Sequence, residues 1–172
     1  LDFGEWLGVP RNHIFAVGME YNQLAGEWWR YHRPNDAEHY LAVEDHPLAA
    51  PGGKTAIIEQ EIRSQYKGRA MLIGDGLSDL EARPAVDLFV GFGGAVRRAR
   101  VAGEADAFIS TPALSPILPL TTKDLQGFRP LTSFQGASQS LEGLMADGLR
   151  RIERGEVTFR DSERLAAFWA AR

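Results

Sequence analysis

The strongest chemical signal in the sequence is an acidic turn that directly follows a short apolar stretch. Residues 71–74 (Met-Leu-Ile-Gly) run into Asp75-Gly76, and Asp79 follows four residues after Asp75. Ligands bind at the carboxyl ends of strands in parallel sheets, so two carboxylates placed there could hold a hard cation through oxygen ligands. The alternative is that Asp75 is an ordinary turn residue and Asp79 an acid favoured at a helix N-terminus.

A second signal lies at the start of a predicted helix, where Pro51-Gly52-Gly53 precedes Lys54. The helix dipole disfavours a cation at this end. A bound anion would reverse that preference, because helix amides and the ammonium group would converge on a phosphate. The alternative is a solvated lysine at a frayed helix end.

Alternating strands and helices are predicted to position these residues. Apolar spacing predicts helices over 54–66, 78–82, 97–102, 138–154 and after Asp161, and strands over 13–18, 70–73, 86–91 and 107–110. Such an alternation predicts an α/β fold with a mainly parallel sheet. The arginines at 97, 98 and 100 are interpreted as one solvated helix face.

Residues 19–50 differ in composition from the segments on either side, and this difference predicts an irregular β-hairpin insertion. Three of the four histidines fall here at a seven-residue step, His32, His39 and His46. They could form a metal site. A solvated hairpin is favoured, because a seven-residue step does not place side chains on one face of a twisted strand.

Lys54 and Asp75 occur in order, with one predicted helix and one predicted strand between them. On this combination, residues 52–122 resemble the haloacid-dehalogenase superfamily of phosphohydrolases, and within it the phosphoserine phosphatase-like branch. The resemblance is carried by GGK at 52–54, MLIGDGLSDLEA at 71–82 and VDLFVGFGG at 86–94, with EWLGVPRNHIFAV at 5–17 in support. It implies a Rossmannoid three-layer α/β/α core over 1–122, with 123–172 as a helical C-terminal extension.

The resemblance also implies a chemistry. An aspartate attacks a phosphomonoester and forms an aspartyl-phosphate, while Mg²⁺ and a lysine neutralise charge on the transferring group. By motif, Lys54 binds the phosphate, Asp75 is a magnesium ligand, and Asp79 either orients the metal site or holds Lys54. Gly76 and Ser78 line the loop, and Ser78 stands where many relatives have asparagine.

The family's nucleophile motif, D-x-D-x-T/S at the end of the first strand, is absent from the sequence. No two of the ten aspartates are separated by a single residue, and the nearest imitation is Glu104-Ala105-Asp106. The chain starts at Leu1 without methionine, just after the point where the family's second motif should end. We therefore expect the C-terminal portion of an enzyme, inactive alone. Without the central nucleophile strand its neighbours would be unpaired, which predicts instability or a homo-oligomer.

Composition narrows the class of protein. The 172 residues carry a net charge of −4 and no cysteine. Weak acidity argues against a nucleic-acid footprint, and the lack of cysteine excludes thiolate chemistry. No apolar run approaches the roughly 20 residues of a membrane span, and the first residues do not form a signal peptide, so a cytoplasmic location is expected.

These observations together predict a Mg²⁺-dependent hydrolase of a small-molecule phosphate ester such as phosphoserine, with no nucleic-acid or membrane partner. The nucleophile is expected to lie outside this chain. The rival hypothesis is a catalytically inactive module of the same fold that binds a partner or a phosphate ligand. A phosphotransferase that passes the phosphoryl group to an alcohol is a third.

Overall fold

The computed structural model of the chain describes residues 2–17, 19–20, 42–43, 46–122 and 140–170. The chain divides into two compact units, Leu1–Gly53 and Lys54–Arg172. Among the described helices, none combines the length and the apolar character that crossing a membrane requires.

Short elements make up the first unit. Helix α1 spans Asp2–Trp6, 3₁₀ turns span Arg11–His13 and Pro47–Ala49, and strands β1 (Met19–Glu20) and β2 (Ala42–Val43) pair antiparallel. This pair lies within the predicted hairpin, whose residues 21–41, with His32 and His39, are outside the described residues. The strand predicted over 13–18 is wrong for residues 14–17, which have no regular structure. Phe15 is exposed there, so this segment lacks the buried surroundings that its apolar sequence suggested.

The second unit centres on a four-stranded sheet in the order β3-β4-β5-β6. Strands β3 (Met71–Gly74), β4 (Leu88–Phe92) and β5 (Ala107–Ile109) are parallel, and β6 (Val157–Phe159) pairs antiparallel with β5. The inner strands β4 and β5 are almost wholly buried, as their continuous apolar runs require. The predicted α/β fold with a mainly parallel sheet is confirmed.

Helices cover both faces of this sheet. Successive strand residues point to opposite sides, so the buried apolar strands present apolar side chains to both faces. On one face, Phe89 and Phe108 pack in a cluster with helical residues such as Ile58, Leu80 and Val101. The elements of this face are α2 (Gly53–Ile57, continued by a π-helix over Ile58–Arg63), α3 (Leu77–Glu81) and α4 (Ala99–Glu104).

The other face carries the C-terminal helices. Leu88 and Val90 pack there against Leu120, Leu165 and Phe168. The elements are α5 (Ile117–Thr121), α6 (Leu141–Glu153) and α7 (Ser162–Ala170). Residues 140–170 therefore contribute to the same sheet and the same core as residues 54–122.

The apolar face predicted for α6 needs one correction. The spacing of the apolar residues in this helix predicts one apolar face, formed by Leu141, Leu144, Met145, Leu149 and Ile152. Leu149 is nevertheless 47% exposed, and the buried residue of α6 is Gly148. A Cβ on Gly148 would lie 2.4 Å from the carbonyl oxygen of Ser115 and 2.9 Å from Cδ of Pro119. Helix α6 therefore packs through a close approach of its backbone at Gly148, and a pattern of large apolar residues does not predict such a contact.

Candidate active site

A lysine and a buried carboxylate 25 residues apart meet at the carboxyl end of β3. Nζ of Lys54, the second residue of α2, lies 2.5 Å from Oδ1 of Asp79 in α3. Asp79 is only 6% exposed, and its Oδ2 accepts a hydrogen bond of 3.0 Å from the backbone N–H of Gly76. Both carboxylate oxygens are thus engaged, while the Lys54 side chain stays 41% exposed.

The end of β3 is shaped to admit this carboxylate. Gly74 is the last residue of the strand, and a Cβ there would lie 2.1 Å from Cγ of Asp79. Gly76 is the N-cap of α3, and the Asp79 side chain closes back on its backbone N–H. Ser78 lies in the first turn of the helix and is exposed. Four of the five sequence-predicted residues therefore lie on the loop after β3 and on α3, and the fifth, Lys54 of α2, contacts them through Asp79.

Asp75 is the first residue after β3, and an arginine binds it. Nη1 of Arg98 donates to the backbone oxygen of Asp75 over 2.9 Å and also to its carboxylate Oδ2. The side chains of Asp75 and Arg98 are each 43% exposed. This pair joins the loop after β3 to the loop after β4 at the carboxyl ends of these two parallel strands.

Sequence reasoning missed this contact. It placed Arg98 on a solvated helix face, whereas α4 begins only at Ala99 and Arg98 is its extended N-cap residue. A usable signal was present, because β3 and β4 are parallel and the loops that follow them must leave the same edge of the sheet. An arginine in the second loop can therefore reach an acid in the first.

The donor set can be tested for its fit to a divalent cation. Among the residues that the structure describes, no three histidine, aspartate or glutamate side chains come together as a metal cluster. Mg²⁺ is commonly bound through one or two carboxylates, with waters and substrate phosphates as the other ligands. Asp75 fits that pattern as a single carboxylate ligand if Arg98 moves aside. Asp79 here holds Lys54, which is one of the two roles that the motif left open.

The segment most similar to the nucleophile motif, Glu104-Ala105-Asp106, does not lie at this loop. Asp106 precedes β5 at the amino end of the strand and is fully buried, whereas Asp75 follows the carboxyl end of the parallel strand β3. Its carboxylate accepts bonds of 3.0 and 2.5 Å from the Arg83 guanidinium and one of 2.8 Å from the Phe89 N–H. Asp106 is therefore a structural carboxylate that anchors the Arg83 loop to the sheet.

Comparison with known proteins finds that this chain is similar in sequence to phosphoserine phosphatases. The chain is 30% identical to phosphoserine phosphatase of Bos taurus and 31% identical to that of Homo sapiens, over 104 residues in each case. It is 39% identical over 106 residues to the chloroplastic phosphoserine phosphatase of Arabidopsis thaliana. Each match covers 60% of this chain. No family model matches the chain.

These similarities confirm the predicted relationship to the phosphoserine phosphatase-like branch of the haloacid-dehalogenase phosphohydrolases. The match spans 41% of the bovine and human relatives and 32% of the Arabidopsis relative. The chain therefore corresponds to less than half the length of the phosphatases that it resembles.

Proposed function

We propose that this chain is the lysine-bearing and acid-bearing part of a phosphomonoester hydrolase for a small phosphorylated metabolite such as phosphoserine. The observation that carries the proposal is the Lys54–Asp79 pair, which lies beside Asp75 at the carboxyl edge of the sheet. The names of the relatives support the reaction class, and phosphoserine is the substrate that those names give.

Lys54 neutralises the transferring phosphoryl group in this proposal. Phosphoryl transfer depends on positioning and on charge stabilisation at the phosphoryl oxygens. Asp79 accepts one hydrogen bond from Lys54, which fixes the direction of the ammonium group, and a lysine has three such donors. The partial exposure of Lys54 leaves the remaining donors accessible to a phosphate ester.

The nucleophile is proposed to come from residues outside these 172. A carboxylate attacks phosphorus, the P–O ester bond breaks, and a general acid, which also comes from outside these 172 residues in this proposal, protonates the leaving alkoxide; water then hydrolyses the acyl-phosphate. In the described part of the chain, β3 pairs only with β4, so its other edge is available to a further strand. A parallel strand added there would end beside Asp75 and Lys54.

Magnesium remains part of the proposal, with Asp75 as the ligand that this chain supplies. A bound divalent cation would polarise the phosphoryl oxygens and reduce their negative charge. Asp79 contributes indirectly, because it holds Lys54 and the Gly76 backbone in place. A cytoplasmic location stays a prediction from the sequence.

The test joins this chain to the segment that precedes it in the native gene and measures phosphate release from O-phosphoserine and a panel of small phosphate esters with Mg²⁺. Lys54→Ala should lower kcat/KM by about 10²-fold or more, as loss of one charge-stabilising donor does in other enzymes. Lys67→Ala, an exposed lysine near β3, is the matched control. No turnover of any ester by the folded protein with Mg²⁺ present would refute the proposal.

The second candidate is an inactive module of the same fold that binds a phosphate ligand or a partner. One observation favours it, namely the Arg98 guanidinium at the Asp75 carboxylate. The gene upstream of Leu1 discriminates cheaply between the candidates. A D-x-D-x-T/S strand encoded there supports the hydrolase, and a start codon at this position supports the module.

A further inference from the structure

Arg98 makes a specific contact with Asp75. In the described site, the other carboxylate, Asp79, already accepts hydrogen bonds from Lys54 and from the Gly76 backbone. Nη1 of Arg98 donates to two oxygens of Asp75, one from the backbone and one from the side chain. One guanidinium nitrogen therefore contacts the two kinds of oxygen atom that a hard cation prefers.

The neighbouring arginines have different partners. The Arg97 guanidinium lies 5.5 Å from the ring centroid of Phe108, and Nε of Arg100 donates to Glu104 over 2.8 Å. The contact with Asp75 is thus a property of Arg98 and not of a general basic surface. Arg97 also provides a control substitution with the same change of net charge at the adjacent position.

We infer that Arg98 is a resident counter-charge at Asp75 that competes with a divalent cation and must leave the carboxylate before the cation binds. This inference rests on the proposed function, in which Asp75 is a cation ligand. A guanidinium and a divalent cation at the same oxygens would repel each other strongly. Exposed ion pairs are weak, and this one is 43% exposed on both sides, so the arginine can be displaced.

Arg98 therefore acts as a positioning residue that sets cation affinity. While Arg98 is on Asp75, it ties the loop after β3 to the N-terminus of α4, which Arg98 caps. When it leaves, the carboxylate becomes available to the cation and the two loops are uncoupled.

The experiment is a titration of the whole chain with Mn²⁺ at fixed ionic strength, with free Mn²⁺ followed by electron paramagnetic resonance. Arg98→Gln should bind Mn²⁺ about two- to tenfold more tightly than the wild type, since it removes a weak ion pair and a repelling charge. Arg97→Gln should differ from the wild type much less. Arg98→Lys, which keeps the positive charge, should return most of the wild-type affinity.

The outcomes separate this inference from the proposed function. If Asp75→Asn weakens binding but Arg98→Gln and Arg97→Gln bind equally, the inference about Arg98 is overturned and the cation assignment stands. If Asp75→Asn binds Mn²⁺ as well as the wild type, or if no variant binds it, the cation assignment fails and the inference fails with it. Thermal unfolding of each variant verifies that it is folded during the titration.

Discussion

Gly74 and Asp79 approach so closely that a single methyl group would not fit between them, since a Cβ on Gly74 would lie 2.1 Å from Cγ of Asp79. The contact connects the end of β3 to the carboxylate that holds Lys54. Asp79 cannot withdraw easily, because it is buried and engaged through both oxygens.

Gly74→Ala should therefore displace Asp79 and loosen the Lys54 ammonium, with destabilisation of about 1–3 kcal/mol as is typical of overpacking. Chemical unfolding measures the loss. The matched control is Gly103→Ala in α4, where a Cβ would meet nothing within 4 Å and where alanine is the better helix former. Equal stability of Gly74→Ala and the wild type would show that the close approach of Gly74 to Asp79 does not constrain the site.

Removal of Lys54 should also destabilise the fold, apart from any effect on activity. Lys54→Met leaves the buried Asp79 carboxylate without its cationic partner, and a lost hydrogen bond to a charged group costs about 2 kcal/mol. A double-mutant cycle with Asp79→Asn, followed by urea unfolding, isolates the coupling between the two side chains. If the free-energy changes of the two single substitutions simply add, the pair is not energetically coupled and this prediction fails.

The acidic loop could be predicted because its signals are local. A short apolar strand, a glycine-flanked aspartate and a second acid four residues later define a strand–turn–helix unit, and the structure has that unit at 71–81. Lys54 belonged to a separate signal, and a contact of Asp79 with Lys54 was one of the two roles that the resemblance alone implied for Asp79. Bringing the two together requires the packing of α2 and α3 on one face of the sheet.

The missed features depend on tertiary contacts that the local pattern does not contain. Arg98 reaches Asp75 because β3 and β4 are parallel neighbours; the alternation of strands and helices predicts a mainly parallel sheet but not which strands are adjacent. Gly148 is buried because α6 touches the Ser115 backbone, so the absence of a side chain is what matters there. The segment 14–17 has an apolar sequence, but Phe15 is exposed and no strand forms.

The close packing at Gly148 gives a third prediction. Gly148→Ala would place a methyl group 2.4 Å from the Ser115 carbonyl oxygen, so α6 must move away from α5. The expected loss is about 1–3 kcal/mol despite the higher helix propensity of alanine. Gly143→Ala in the same helix is the control, since its Cβ would meet only the Ser140 hydroxyl at an ordinary 3.4 Å. A Gly148→Ala variant as stable as Gly143→Ala would contradict the predicted contact.

The free energy of unfolding should depend on pH through Asp147, which connects α6 to the loop after β5. Hydrogen bonds from the Ser115 hydroxyl, at 2.6 Å, and from Nε of Arg151, at 2.7 Å, lower the pKa of Asp147 to about 2. The ordinary pKa of an aspartate, which applies to the unfolded chain, is about 3.9. A carboxyl group with a lower pKa in the folded state stabilises the protein above the unfolded value, and this stabilisation is lost as the pH falls towards the folded value.

Asp147→Asn should therefore be less stable than the wild type by a constant amount at neutral pH, and the difference should shrink as the pH falls from about 4 to about 2. Urea midpoints measured at several pH values between 6 and 2.5 follow the effect. Ser115→Ala removes the largest cause of the pKa shift, so the stability that it loses on acidification should be smaller than in the wild type, and the loss should be complete at a higher pH. Glu142→Gln, which alters an exposed acid of the same helix, controls for net charge. A difference between wild type and Asp147→Asn that stays constant down to pH 2.5 would show that the hydrogen bonds to Ser115 and Arg151 do not lower the pKa of Asp147 in solution.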